Sequence, residues 1–243
     1  MPTPVKVPAT VTGITSHGDD VYSLQLSPKR QVPDYLPGQF LHLAMDPYDP
    51  SSHWPESRVF SIATSPTRAP ELRVTFAAKG PFTRRMATSL HEGDTVWLKL
   101  PYGEFTLDRN RLGGTVLIAG GTGVTPFVAF LEFLLDRQET INIQLFYGVR
   151  KASLLLYQSL IEECAKRLQG FSVEYFVESG DFPAAAGPWH RGRLSVAAIL
   201  EKVENPLRAA YYLAGPPQMI QAFVADFSAR AIKKEQVHVD AWE

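Results

Sequence analysis

Three short stretches carry residue types and spacings that suggest chemistry. The first is Gly120-Gly121-Thr122-Gly123-Val124-Thr125-Pro126, directly after an apolar run. Gly121 and Gly123 would let the backbone turn sharply and approach a pyrophosphate with no Cβ in the way. Thr125 reads as a helix N-cap and Pro126 as the first helical residue. Free N–H groups at such a helix end, together with its dipole, favour phosphate. The second stretch, Ala214-Gly215-Pro216-Pro217-Gln218-Met219, also ends an apolar run and opens a helical one. Ligands of open parallel sheets bind beyond the carboxyl ends of strands, so both loops would border one crevice. The third is Arg58-Val59-Phe60-Ser61, which offers a guanidinium, an aromatic face and a hydroxyl on one strand. Arg58 and Phe60 would project to one side and Ser61 to the other. A ligand with a phosphate and a planar ring would suit all three.

The elements that must position these residues fall into two halves. Residues 9–16, 21–27, 39–45, 59–63, 72–77 and 95–100 read as short strands, with Val21-Tyr-Ser-Leu-Gln-Leu alternating in the period of a half-buried strand. Pro37-Gly38 and Gly93-Asp94 mark turns, and only 81–90 suggests a helix. That pattern predicts a small antiparallel barrel. From Gly114 the reading changes to strands at 115–119, 141–147, 171–177, 210–214 and 236–241, alternating with helices at 126–137, 154–168, 195–203 and 217–230. Strands alternating with helices predict an α/β domain with a parallel sheet. The boundary is expected near Asn110, giving domains 1–110 and 111–243.

Composition narrows the functional classes. Lys plus Arg total 24 and Asp plus Glu 25, for a formal net charge of -1, which gives no footprint for nucleic acid. One cysteine, Cys164, cannot make an internal disulfide or ligate an iron–sulfur cluster on its own, and it reads as a small buried side chain. The stretch 1–9 lacks the apolar run of a signal peptide. No apolar run reaches the ~20 residues of a membrane span, and Glu132 interrupts even the run 127–135. A cytoplasmic protein is expected.

Taken in order, the motifs resemble those of the ferredoxin–NADP reductase family. Arg58-Val-Phe-Ser61 is similar to its Arg-x-Tyr-Ser flavin motif, and Pro37-Gly38-Gln39-Phe40 to its Pro-Gly-Gln-Phe strand start. Lys79-Gly80-Pro81-Phe82-Thr83 resembles the turn that holds the flavin pyrophosphate. The 120–126 loop, Tyr147-Gly148-Val149-Arg150 and Gly215-Pro216-Pro217-Gln218-Met219 resemble the nicotinamide motifs. The resemblance implies FAD lying between the barrel and the nucleotide domain. Arg58 would hold its pyrophosphate, with Gly80, Phe82 and Thr83 completing the phosphate pocket. Phe60 would pack on the isoalloxazine and Ser61 would orient and tune its N5, with Val59, Phe76 and Ala77 nearby. NAD(P)H would bind across Gly121, Thr122, Gly123, Thr125, Pro126, Tyr147, Gly148, Arg150 and the Ala214–Met219 residues, including Pro216 and Pro217. Asp240-Ala241-Trp242 resembles the family's C-terminal acid and aromatic, which makes Asp240 and Trp242 catalytic candidates beside Ser61.

The chain departs from the family pattern at Phe60 (commonly Tyr), Ala77 (commonly Arg) and Ala214 (commonly Cys). The first departure leaves ring tilt open, the second leaves the choice of FAD over FMN open, and the third predicts slower hydride transfer. After the second strand of the nucleotide half stand Arg150 and Lys151, where NAD sites commonly place an acid about 20 residues past the glycines. Arg150 would pair with a 2′-phosphate, so NADPH is expected ahead of NADH. The acceptor expected first is a ferredoxin or flavodoxin, followed by a separate oxygenase component, ferric chelate or free flavin. Two other readings stay open. One is a regulatory module that binds nucleotide without turnover, and the other is a flavin-free two-domain oxidoreductase of unrelated fold.

Overall fold

A computed structural model describes residues 2–108, 113–180 and 188–240. They fall into two compact units, one running to Leu107 and taking in Thr125–Phe133, the other formed by Asp108–Val124 and the chain from Leu134.

The first unit is built on six antiparallel strands, β1 (Val5–Gly18), β2 (Val21–Pro28), β3 (Phe40–Ala44), β4 (Ser57–Ser61), β5 (Leu72–Ala77) and β6 (Thr95–Tyr102), in the order β4-β3-β6-β1-β2-β5. Just past β4, the Ala63 N–H donates to the Arg73 carbonyl of β5 at 2.8 Å, which brings the sheet's two edges together as a nearly closed barrel. Alternation sends one face of each strand inward, where Leu24, Leu26, Leu41, Leu43, Val74 and Leu98 are each at most 1% exposed. One helix, α1 (Pro81–Ser89), follows β5 and buries Phe82 and Met86. Gly38, at φ +88°, makes the turn into β3, and a Cβ there would overlap the Phe105 carbonyl and the Phe130 ring.

The first unit also holds a buried ionic cluster. Glu132, whose side chain is 3% exposed, accepts from the Ser65 N–H at 2.9 Å and from Arg73 at 2.7 Å, with Arg68 at 3.0 Å. A carboxylate can be held in such a place only with donors of this kind around it. Tyr35 lies in the same region, donating to the Thr64 carbonyl at 3.0 Å, and burial followed by the nearby Glu132 charge pushes its phenol up.

The second unit is a parallel sheet of β7 (Thr115–Gly120), β8 (Ile143–Val149), β9 (Phe171–Val177), β10 (Trp189–Arg191), β11 (Ala210–Ala214) and β12 (Val237–Asp240), in the order β10-β9-β8-β7-β11-β12. Every residue of β7 and β11 is buried, as expected for central parallel strands. The sequence also forms α2 (Thr125–Arg137), α3 (Gln158–Arg167), α4 (Val196–Leu200) and α5 (Pro217–Ala229). On one face Val116, Ile118, Phe146, Tyr211 and Leu213 pack with Ile199 of α4 and Phe223 and Phe227 of α5. Among the described residues no helix is long and apolar enough to cross a membrane.

The expected barrel and α/β sheet are both present, with local differences. The short edge strand β10 has no counterpart in the sequence reading, because three residues are too few to show a period. The helix expected over 154–168 begins only at Gln158. Ala152–Leu154 forms a 3-10 turn, and Tyr157 takes a left-handed φ of 58° before the helix starts.

Candidate functional site

In the barrel, β4 carries Arg58 exposed, Val59 and Ser61 half-buried and Phe60 buried. The guanidinium carbon of Arg58 lies 5.0 Å from the centre of the Phe82 ring, in the first turn of α1. Arg58 also donates to the Ser57 carbonyl at 2.9 Å and pairs with Glu56 at 2.9 Å. Gly80 caps α1 without a side chain, so Thr83 supplies the polar atom. Its Oγ1 accepts from the Gly80 N–H at 3.1 Å and donates to the Gly80 carbonyl at 3.2 Å. A Cβ on Gly80 would meet nothing within 4 Å, so space lies open at that helix start. A helix N-terminus and a guanidinium thus converge on one open place, which is a setting for an anion.

Other barrel residues group differently. Phe60 is 8% exposed and Phe76 3%; their rings meet at 6.0 Å, and Phe76 stacks on Tyr22 at 5.7 Å. Both rings belong chiefly to the barrel core. Ser61 pairs in register with Phe40, whose ring stacks on Tyr102 at 5.7 Å. Ala77 ends β5 opposite Val21, at the entry to the Gly80 turn. Glu56, just before β4 and two residues from Arg58, is not among the expected site residues.

In the second unit, β7 and β11 are the neighbours at which strand order reverses, the switch point where parallel sheets bind ligands. Both glycine loops leave from there. Register sets Tyr147, Ala119, Ala214 and Asp240 in one row across β8, β7, β11 and β12. Gly121, at φ 55°, begins a 3-10 turn, Gly121–Val124, that runs directly into α2. Thr125 is therefore not the N-cap expected of it. Val124 holds that position in right-handed helical conformation, because the chain is already coiling before the helix, and Pro126 lies within the first two helical positions.

The two loops interlock through their glycines. A Cβ on Gly123 would overlap the Ala214 carbonyl and the Gly215 nitrogen, and one on Gly120 would come within 2.6 Å of the Met219 sulfur and 3.0 Å of Pro216. Gly148 is in register with Gly120, and its open face meets Leu194. Thr122 lies inside the 3-10 turn, while Pro217 starts α5. Arg150 is exposed just past β8, where its carbonyl accepts from the Ser179 N–H and hydroxyl at 2.8 and 3.0 Å. Asp240 is 6% exposed. Tyr147 is fully buried and its hydroxyl reaches loop backbone. Trp242 lies outside the described residues. Among the described residues no group of three or more His, Cys, Asp or Glu could hold a metal ion.

Comparison with known proteins agrees with this geometry. Residues 117–225 match the oxidoreductase NAD-binding domain family. The chain is 29% identical over 236 residues to the reductase component of propane 2-monooxygenase from Rhodococcus jostii, covering 95% of this chain and 62% of that protein. It therefore spans about three-fifths of the length of that curated relative. A cytochrome P450 reductase from Amycolatopsis superposes with a TM-score of 0.83 at 26% identity, covering 98% of this chain and 70% of that one. A ferredoxin NADP+ reductase from Neisseria gonorrhoeae, solved with FAD and NADP, shares the fold with a TM-score of 0.75 at 18% identity, covering 97% of this chain and 98% of its own. The protein is ferredoxin–NADP reductase-like in fold, an antiparallel barrel followed by a parallel sheet.

Proposed function

We propose that this chain is a flavin-dependent NAD(P)H reductase, with residues 1–110 binding FAD and residues 111–243 binding the nicotinamide dinucleotide. The observation that carries the reading is that each unit has its own phosphate-directed feature. In the barrel, Arg58 lies over the first turn of α1 at an open Gly80. In the parallel sheet, two interlocked glycine loops meet at the switch point. The reductases among its relatives and structural neighbours support the same reading.

The residues present fit a flavin of this kind. Arg58 and the first turn of α1 would bind its pyrophosphate, with Thr83 holding the Gly80 turn in shape. Phe60 and Phe76, mostly buried, would form the wall of the barrel behind the ring, and Ser61 would offer it a hydroxyl. When bound, the flavin would accept hydride from the nicotinamide and release electrons singly. Gly121–Val124 and Gly215–Met219 would hold and orient the dinucleotide, so that the protein contributes position and exclusion of water rather than a general base. Asp240, at the end of the row beside Ala214, would place a carboxylate next to that loop.

Arg150, exposed at the end of β8, favours NADPH over NADH by offering charge to a 2′-phosphate. The acceptor is a separate redox protein. The relatives named as oxygenase reductase components favour an oxygenase system over a free-standing ferredoxin or flavodoxin. The test is flavin retention. Wild-type protein should release FAD on denaturation, Arg58→Ala should retain much less, and equal retention would argue against the barrel assignment.

A further inference from the structure

We propose that Tyr147 is a positioning residue for the dinucleotide, setting the peptide that the glycine loop presents to the pyrophosphate without touching the ligand. This rests on the proposed nucleotide site. The Tyr147 side chain is 0% exposed, so a bound dinucleotide does not reach it. Packing alone would be satisfied by a phenylalanine, since the ring sits beside Tyr175 at 6.4 Å between centroids. What needs explaining is the hydroxyl.

That hydroxyl joins two loops. It donates to the Gly121 carbonyl at 3.1 Å and accepts from the Leu156 N–H at 3.1 Å. A phenol has one proton, and the Leu154 carbonyl at 3.5 Å is the weaker acceptor for it. A Cβ on Gly121 would meet nothing within 4 Å, so the loop is open on that side. The 3-10 turn Gly121–Val124 orients the Gly121 carbonyl along its own axis, and the Tyr147 hydroxyl adds a bond to it from β8.

The consequence follows from peptide planarity. In a trans peptide the carbonyl of Gly121 and the N–H of Thr122 point in opposite directions. Drawing the Gly121 carbonyl down to the buried hydroxyl turns the Thr122 N–H away from the sheet, toward the mouth of the loop. The first amide of the 3-10 turn is thereby aimed where a phosphate would bind. The same hydroxyl ties this orientation to the 152–156 segment, so ordering either loop orders the other.

The experiment is Tyr147→Phe in the flavin-loaded protein. KM and Kd should rise about tenfold for NADH and NADPH alike, as expected for one lost orienting hydrogen bond, while kcat holds. A merely structural hydroxyl would lower the melting temperature and leave KM unmoved, which would overturn the proposal. An effect confined to one nucleotide would also overturn it, because the pyrophosphate is common to both. Should the wild type bind neither nucleotide, the functional reading itself fails; wild-type binding with an unaltered variant sinks only the role of Tyr147. If the variant does not fold, amide exchange in the wild type decides. Saturating NADH should slow exchange of the Leu156 amide, and an unchanged rate would contradict the coupling.

Discussion

Gly121 and Gly123 stand two residues apart in one loop, yet an alanine at each should have different effects. At Gly123 the added methyl would overlap the Ala214 carbonyl and the Gly215 nitrogen, both main-chain atoms that cannot swing aside. The loops would have to part by about 1 Å, and a misplacement of that size can cost about 100-fold in rate. The overpacking itself should destabilise the fold by about 1–3 kcal/mol. At Gly121 nothing lies within 4 Å, so the only penalty is the left-handed backbone at φ 55°, about 1–2 kcal/mol and local to the turn. Anaerobic stopped-flow reduction of the bound flavin by NADPH separates the two. Gly123→Ala should lose about two orders of magnitude in kred/Kd, and Gly121→Ala about one. Equal losses, or a Gly123→Ala rate near wild type, would refute the interlocked-loop reasoning.

Other consequences can be checked independently. Glu132→Ala should destabilise the protein by about 3 kcal/mol in denaturant unfolding, because it leaves Arg73 and the Ser65 N–H without their buried acceptor; most of that comes from Arg73, since Arg68 is 39% exposed. Arg150→Ala should raise KM for NADPH and leave that for NADH, and an equal rise for both would remove the 2′-phosphate contact. Burial pushes the Tyr211 phenol up to about 12, above its ordinary value. An acid raised on folding contributes stability that is complete below its unfolded pKa of about 10 and is lost as pH rises toward 12. Stability curves should therefore fall above pH 10, and Tyr211→Phe should flatten part of that fall.

Much of this was legible in the sequence because it is local. The strand of Arg58, the turn at Gly80 and the two glycine loops are each set by a handful of consecutive residues, and each lies where its spacing put it. Glu132 showed only as a charge breaking an apolar run. Its partners Arg73 and Ser65 lie 59 and 67 residues away, a distance that no periodicity conveys. Thr125 looked like a cap because Ser and Thr commonly cap helices, but a 3-10 turn before the helix displaced it. The helix expected over 154–157 is absent because Ala152–Leu154 forms a 3-10 turn and Tyr157 takes a left-handed φ of 58°, breaks that hydrophobic periodicity does not convey.

In the proposed reaction a nicotinamide dinucleotide reduces a flavin held by this chain. The direct measurement is an anaerobic titration of the purified, flavin-loaded protein with NADPH and with NADH, following the flavin absorbance. Stoichiometric bleaching is expected, reached at lower concentration with NADPH. A protein that takes up no FAD, or that holds FAD which neither nucleotide bleaches, would contradict it.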